Sequence, residues 1–157
     1  MLLRDLLAVP ELQLRLLYGD AEALDRPVRW VYTTDLLDPA RYLSGGELVV
    51  TGLMWRRSPA DSAAFVGAVA GSGATALAAG DALLGCVPDD LLDACRRAGL
   101  PLLEVPTDVS FAALTERVLA SVTGDRGVWL AATLARQRRL LAAVAEGRSL
   151  RPPEVAR

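Results

Sequence analysis

The sequence predicts an α/β fold: a mainly parallel sheet flanked by helices, with an extended helix at the C-terminal end. Three observations predict it. Short apolar runs of strand length alternate with amphipathic stretches of helix length, the order of successive βαβ units. The runs between Glu47 and Val105 are continuously apolar, as in strands covered on both faces, whereas two earlier runs alternate and are expected to be antiparallel or edge strands. The chain has 157 residues, 52% of them hydrophobic, enough for one core without a metal or disulfide staple.

Leu12, Leu14 and Leu16 alternate with Gln13 and Arg15, predicting a half-buried first strand. Gly19-Asp20 and Asp25-Arg26-Pro27 mark a turn region. Val28, Trp30 and Tyr32 alternate in a second strand that runs out at Thr33, Thr34 and Asp35. Asp38-Pro39 places a capping residue before a helix-starting proline, predicting a short helix through Tyr42 that Gly45-Gly46 ends. Glu47 to Thr51 is a buried strand. Ser58-Pro59-Ala60-Asp61 starts a helix whose Phe65, Val66, Val69 and Ala70 share a face.

Ala74 to Ala79 reads as a further buried strand. Residues 62–80 carry no charge over nearly membrane-spanning length, but Gly67, Gly71, Ser72, Gly73 and Thr75 divide them into helix, turn and strand, so no membrane span is expected. Asp89 and Asp90 complement the dipole of a helix striped by Leu91, Leu92, Cys95 and Ala98, with Gly99 as its C′ residue. Leu102 to Val105 is a strand closed by Pro106. Ser110 caps a helix whose Phe111, Leu114, Val118 and Val122 share a face.

After Thr123 the character changes. Gly124-Asp125-Arg126-Gly127 is expected to interrupt the helix before a second helical run reaches about Glu146. Leu130, Leu134, Gln137, Leu141 and Val144 follow heptad spacing, but about two heptads are too few to define a coiled coil. A dimer-forming or domain-linking helix and simple packing onto its own domain both stay open. The tail, with Pro152-Pro153, reads as a linker stub. The expected division is therefore 1–123, 124–146 and 147–157.

Composition excludes much chemistry. All seventeen cations are arginine, and histidine is absent, which removes a P-loop lysine, Schiff-base chemistry, histidine bases and the commonest zinc ligand. No metal site, cofactor or catalytic constellation is expected. The net charge of −2 offers no dense cationic field for nucleic acid. Arg136, Arg138 and Arg139 span barely a helical turn and read as a solvated face. Arg56-Arg57, beside a helix start, reads as a solvated pair or an anion contact. Cys86 and Cys95 form no CxxC pair and are expected as buried small apolar residues in a reducing cytoplasm. The N-terminus lacks the apolar core of a secretory signal.

In open parallel sheets, ligands bind beyond the carboxyl ends of the strands. The polar residues expected there are Thr33, Thr34 and Asp35, then Thr51 and Gly52, then Gly80 and Asp81, then Glu104. They offer hydroxyls, carboxylates and backbone amides, with Trp30, Tyr32 and Trp55 as stacking faces. This suits a small neutral or cationic, hydrogen-bonding molecule better than a phosphate. The same residue types also serve as turn formers and caps.

The segments RDLLAVPEL, LDRPVRWVYTTDLLDP, YLSGGELVVTG, AGLPLLEVP and SFAALTERV, in this order across about residues 1–123, resemble the N-terminal domain of PucR-family transcriptional regulators, named for purine catabolism. The resemblance implies a cytoplasmic bacterial regulator whose N-terminal domain senses a metabolite and whose DNA-binding helix-turn-helix lies outside this chain. One departure falls at the site: the family usually has two threonines before the glycine of the GGEL segment, where this chain has Val50-Thr51-Gly52.

The expected function is thus a non-enzymatic sensor that binds a small metabolite, such as a purine catabolite, at Thr33, Thr34, Asp35, Thr51, Gly52, Asp81 and Glu104, and that pairs as a homo-oligomer. Direct contact with nucleic acid or membrane is not expected. The alternative is a protein-interaction or dimerisation module that takes no ligand. A catalytic role resting on Asp35, Asp81 or Glu104 is disfavoured for want of general bases.

Overall fold

In the computed structural model, residues 1–149 are described, together with the side chains of 1–124 and 138–143. Five strands form one sheet in the order β1-β5-β4-β3-β2. They are β1 (Arg15–Tyr18), β2 (Trp30–Thr33), β3 (Glu47–Thr51), β4 (Ala76–Gly80) and β5 (Leu102–Val105). β2, β3, β4 and β5 run parallel, with Leu48 opposite Ala76 and Leu77 opposite Leu102. β1 alone is antiparallel, and its pairing with β5 shifts between Leu16 and Tyr18. The two strands with alternating sequence are therefore the two edges, and only one is antiparallel.

The connections explain the layers. Helix α3 (Pro59–Gly71) joins β3 to β4, and α4 (Asp89–Ala98) joins β4 to β5. Successive crossovers of one hand, stepping in one direction along a sheet, put their helices on the same face. Phe65, Val66, Val69, Leu91 and Cys95 accordingly share a buried cluster with Val49, Leu77 and Leu102. The opposite side chains of the same strands, Leu48, Val50, Ala76, Ala78, Leu103 and Val105, pack under α1 (Leu3–Leu7) and under Leu114, Val118 and Val122. Every residue of β3 and β4 is buried, which is why these strands lack polar alternation.

Several caps stand where their residue types predict them. Ser58 and Asp61 form a capping box at α3, Gly99 ends α4 with φ 69°, and the Ser110 hydroxyl accepts the Ala113 N–H at 3.0 Å. The helix expected up to Tyr42 is a single 3-10 turn, Ala40–Tyr42.

The N-terminal third departs from expectation. The first strand begins at Arg15 rather than Leu12, because Pro10–Leu12 form a 3-10 turn and Gln13 takes a left-handed φ of 49°. Leu12 is buried from that turn instead of from a strand. Two short helices also escape the sequence periodicity: α1, and α2 (Ala21–Leu24), whose cap Asp20 accepts the Ala23 N–H at 2.7 Å. Elements of four or five residues are too short to display a period of 3.6.

Contacts divide the chain into units Met1–Val122 and Thr123–Arg157. Helix α5 runs from Phe111 to Ser149, so the Gly124–Gly127 stretch does not break it. Glycine inside a helix costs about 1 kcal/mol, far less than proline, so glycine weakens a helix without having to end it. In the second unit, Arg138, Arg139, Leu140 and Leu141 are exposed. The side chains of Leu130, Leu134, Arg136, Gln137 and Val144, and residues 150–157, lie outside the described residues. Among the described residues, no helix is long and apolar enough to cross a membrane.

Candidate functional site

The four parallel strands end at one edge of the sheet, at Thr33, Thr51, Gly80 and Val105. The segments that follow them surround a cavity of about 490 Å³, within the usual range for small-molecule sites. Asp35 comes from the segment after β2, Gly52 and Met54 from that after β3, and Ala82 and Leu83 from that after β4. Pro106, Thr107, Val109 and Phe111 come from the link between β5 and α5. The lining is mostly apolar.

Asp35 organises one wall. Its Oδ1 accepts the Thr51 hydroxyl at 2.9 Å, the Gly52 N–H at 2.9 Å and the Met54 N–H at 3.4 Å. Thr51 Oγ1 in turn accepts the Trp55 indole N–H at 2.9 Å and the Leu53 N–H at 3.2 Å. This network holds Leu53 at a left-handed φ of 65° with its side chain fully buried. A branched residue pays in strain for that backbone, and the converging acceptors hold it there.

On the other side, the Thr107 hydroxyl donates to Asp81 Oδ1 at 2.8 Å, tying the segment after β4 to the one that enters α5. Gly80 and Phe111 touch between them: a Cβ built on Gly80 would stand 2.8 Å from Phe111 Cζ. The first residue of α5 is thus part of the cavity wall.

The expected site residues fall into distinct places. Asp35, Thr51 and Gly52 form one hydrogen-bonded group, with Asp35 and Gly52 in the lining. Thr34 is buried, and its Oγ1 accepts the Leu36 N–H within its own turn. Asp81 reaches the cavity only through Thr107. Thr33 is exposed on the edge strand β2. Glu104 lies apart. Alternation turns it away from Val105, and it pairs with Arg15 of β1 at 2.5 Å.

Three further expectations are revised. Trp55 is no stacking face, because it is buried and stacks on Phe65 with centroids 4.3 Å apart. Of the Arg56-Arg57 pair, Arg57 is exposed as expected, but Arg56 is not free for an anion: its Nε and a terminal nitrogen grip Asp90 at 3.0 and 2.6 Å. That guanidinium holds the Asp90 carboxyl below its ordinary 3.8; desolvation opposes the shift, and the Ser62 hydroxyl adds to it. Cys95 is buried as expected, but Cys86 is exposed.

Sequence reasoning missed Met54, Leu83, Thr107, Val109 and Phe111. The signal available was the strand-end rule carried a few residues further into each connection. Among the described residues, no cluster of three or more metal-ligating side chains occurs.

A model of the purine catabolism regulatory protein-like family, PucR, matches residues 5–122, a range that includes every residue of the cavity lining. The transcriptional activator PmfR of Paenarthrobacter nicotinovorans is 32% identical over 120 residues, which is 75% of this chain and 25% of that relative. The chain therefore spans a quarter of the length of this curated relative.

Proposed function

The chain belongs to the purine catabolism regulatory protein-like family, and from that premise we propose that it is the effector-sensing part of a transcriptional regulator. Residues 1–123 bind a small metabolite in the strand-end cavity. The part of α5 over 124–146 connects and pairs subunits, and DNA is bound by a part of the regulator outside this sequence. The role is regulatory rather than catalytic.

One observation carries this reading: Phe111, the first residue of α5, lines the same cavity as Asp35. An occupant touching Phe111, Val109 and Thr107 would act directly on the start of the helix that leaves the sensing region. A ligand shifts a regulator only through unequal affinity for its two states, and a cavity wall built from the outgoing helix supplies that inequality. Asp35, Thr51 and Gly52 form the polar anchor, with Thr34 and Asp81 behind the walls.

Thermal-shift screening of the chain against a metabolite panel tests the reading, because a ligand of the native state raises the melting temperature by mass action. A hit is expected to slow amide exchange over residues 105–118. A stabilising ligand that leaves exchange there unchanged would refute the sensing mechanism.

A second reading, a pairing module that takes no ligand, draws on Leu140 and Leu141, which are 63% and 69% exposed. It expects a flat metabolite panel and a concentration-dependent dimer that Leu140→Glu with Leu141→Glu abolishes in sedimentation equilibrium.

A further inference from the structure

The strand-end cavity has a definite charge. Among the described residues, Asp35 is the one ionisable residue in its lining, and no arginine lines it. Three donors, from Thr51, Gly52 and Met54, converge on Asp35 Oδ1. Asp35 is exposed, and among the described residues its Oδ2 takes part in no hydrogen bond. Gly52, which borders it, carries no side chain to cover it: a Cβ there would lie 3.5 Å from Oδ2. The neighbouring carboxylate, Asp81, adds a second negative charge behind Thr107. Arg56, which flanks the segment after β3, is already held by Asp90.

Apart from Thr107, whose hydroxyl donates to Asp81, the remaining side chains of the lining are apolar, among them Met54, Leu83, Val105, Val109 and the Phe111 ring. The start of α5 is the one feature here that favours an anion. It presents about half an elementary charge, against the full charge of Asp35, and the Ser110 hydroxyl already takes up the Ala113 N–H.

We propose that the effector is a compact apolar molecule bearing an ammonium group, its cation on Asp35 Oδ2 and its body against Phe111 and Leu83. This rests on the sensing reading above and narrows it, since it disfavours carboxylate-bearing effectors. A charge-assisted hydrogen bond sets the ligand's direction in the cavity. The apolar wall supplies contact area with the residue that opens α5.

Matched probes on one ring test the class: phenethylamine, 2-phenylethanol and phenylacetate, titrated into the full chain and followed by NMR shifts of Leu83, Val109 and Phe111. Phenethylamine is expected to bind tightest and phenylacetate weakest. Asp35→Asn keeps an oxygen for the three donors. It is expected to weaken phenethylamine about tenfold while leaving 2-phenylethanol unchanged. Leu83→Lys, at an exposed rim position, is expected to reverse the order of amine and acid, and it serves if Asp35→Asn fails to fold.

Phenylacetate binding as tightly as the amine, or an amine indifferent to Asp35→Asn, would overturn the cation class while leaving a ligand-binding cavity intact. Silence of all three probes at these residues, together with a flat metabolite panel, would overturn both the class and the sensing reading.

Discussion

Gly80 and Phe111 are packed so closely that a methyl group on Gly80 would stand 2.8 Å from Phe111 Cζ and 3.1 Å from Cε1. The end of β4 thereby determines where the first residue of α5 lies. The Gly80 backbone is not left-handed, so an alanine there is strained by the ring and not by its own φ.

Gly80→Ala is therefore expected to displace the Phe111 ring. Overpacking costs about 1–3 kcal/mol in general, and a half-buried ring that swings aside puts this case near the lower limit. In a Phe111→Ala background the same change is expected to be neutral or slightly stabilising. A double-mutant cycle by urea denaturation measures the difference. Equal costs in both backgrounds would show that the contact is not what Gly80 serves.

Glu47 closes the turn that enters β3. Its Oε1 accepts the Ser44 and Gly45 N–H groups, both at 2.7 Å, from a residue only 6% exposed. Glu47→Ala leaves two donors without their acceptor and is expected to cost about 2 kcal/mol, with Glu47→Gln recovering much of the loss. Denaturation midpoints of the two variants decide this.

Asp90 makes stability depend on pH. Arg56 holds its native pKa below the 3.8 of an unperturbed aspartate, so the unfolded chain takes up the proton first as the solution is acidified. The contribution of Asp90 is complete above roughly pH 5, fades as pH falls through the unfolded value, and is gone below the native one. Asp90→Asn is expected to be less stable at pH 7, with a gap to the parent protein that narrows as pH falls through the unfolded value, as read from unfolding curves at stepped pH. A stability gap that stays constant down to pH 3 would contradict the assignment.

The two cysteines are expected to react very differently. Burial pushes the Cys95 thiol up to about 12, and a buried thiol of that kind offers neither thiolate nor access. Cys86 is exposed. At pH 8 a thiol reagent is expected to modify one cysteine in the native protein, lost in Cys86→Ser, and the second only after unfolding. Two fast equivalents in the native state would refute it.

The elements that were legible in the sequence carry a local pattern. α3 and α4 are long enough to show a helical period, and β3 and β5 are mostly apolar runs bounded by turn residues. The elements that were misread, α1, α2 and the start of β1, are short and rest on distant contacts: Leu3 and Leu6 are buried among residues that include Leu48 and Leu103. At the site, Asp35, Thr51 and Gly52 were legible because a strand end is a local feature. Glu104 was misplaced because alternation along β5 turns it toward Arg15 and away from the cavity. For Met54, Leu83 and Phe111 the strand-end rule gives the connection but not the residue, since nothing local distinguishes a loop side chain that borders a cavity from one that does not.

The sequence by itself determined the mainly parallel α/β architecture and the lack of lysine and histidine, because periodicity and composition are properties of neighbours along the chain, while the family was carried by several motifs standing in the same order. Only the tertiary structure decided that Asp35 and Phe111, far apart in sequence, face one apolar cavity, and that Arg56 is held by Asp90. Those pairings depend on which loops the folded sheet brings together at its edge, and side-chain direction in a loop is set by what lies across from it.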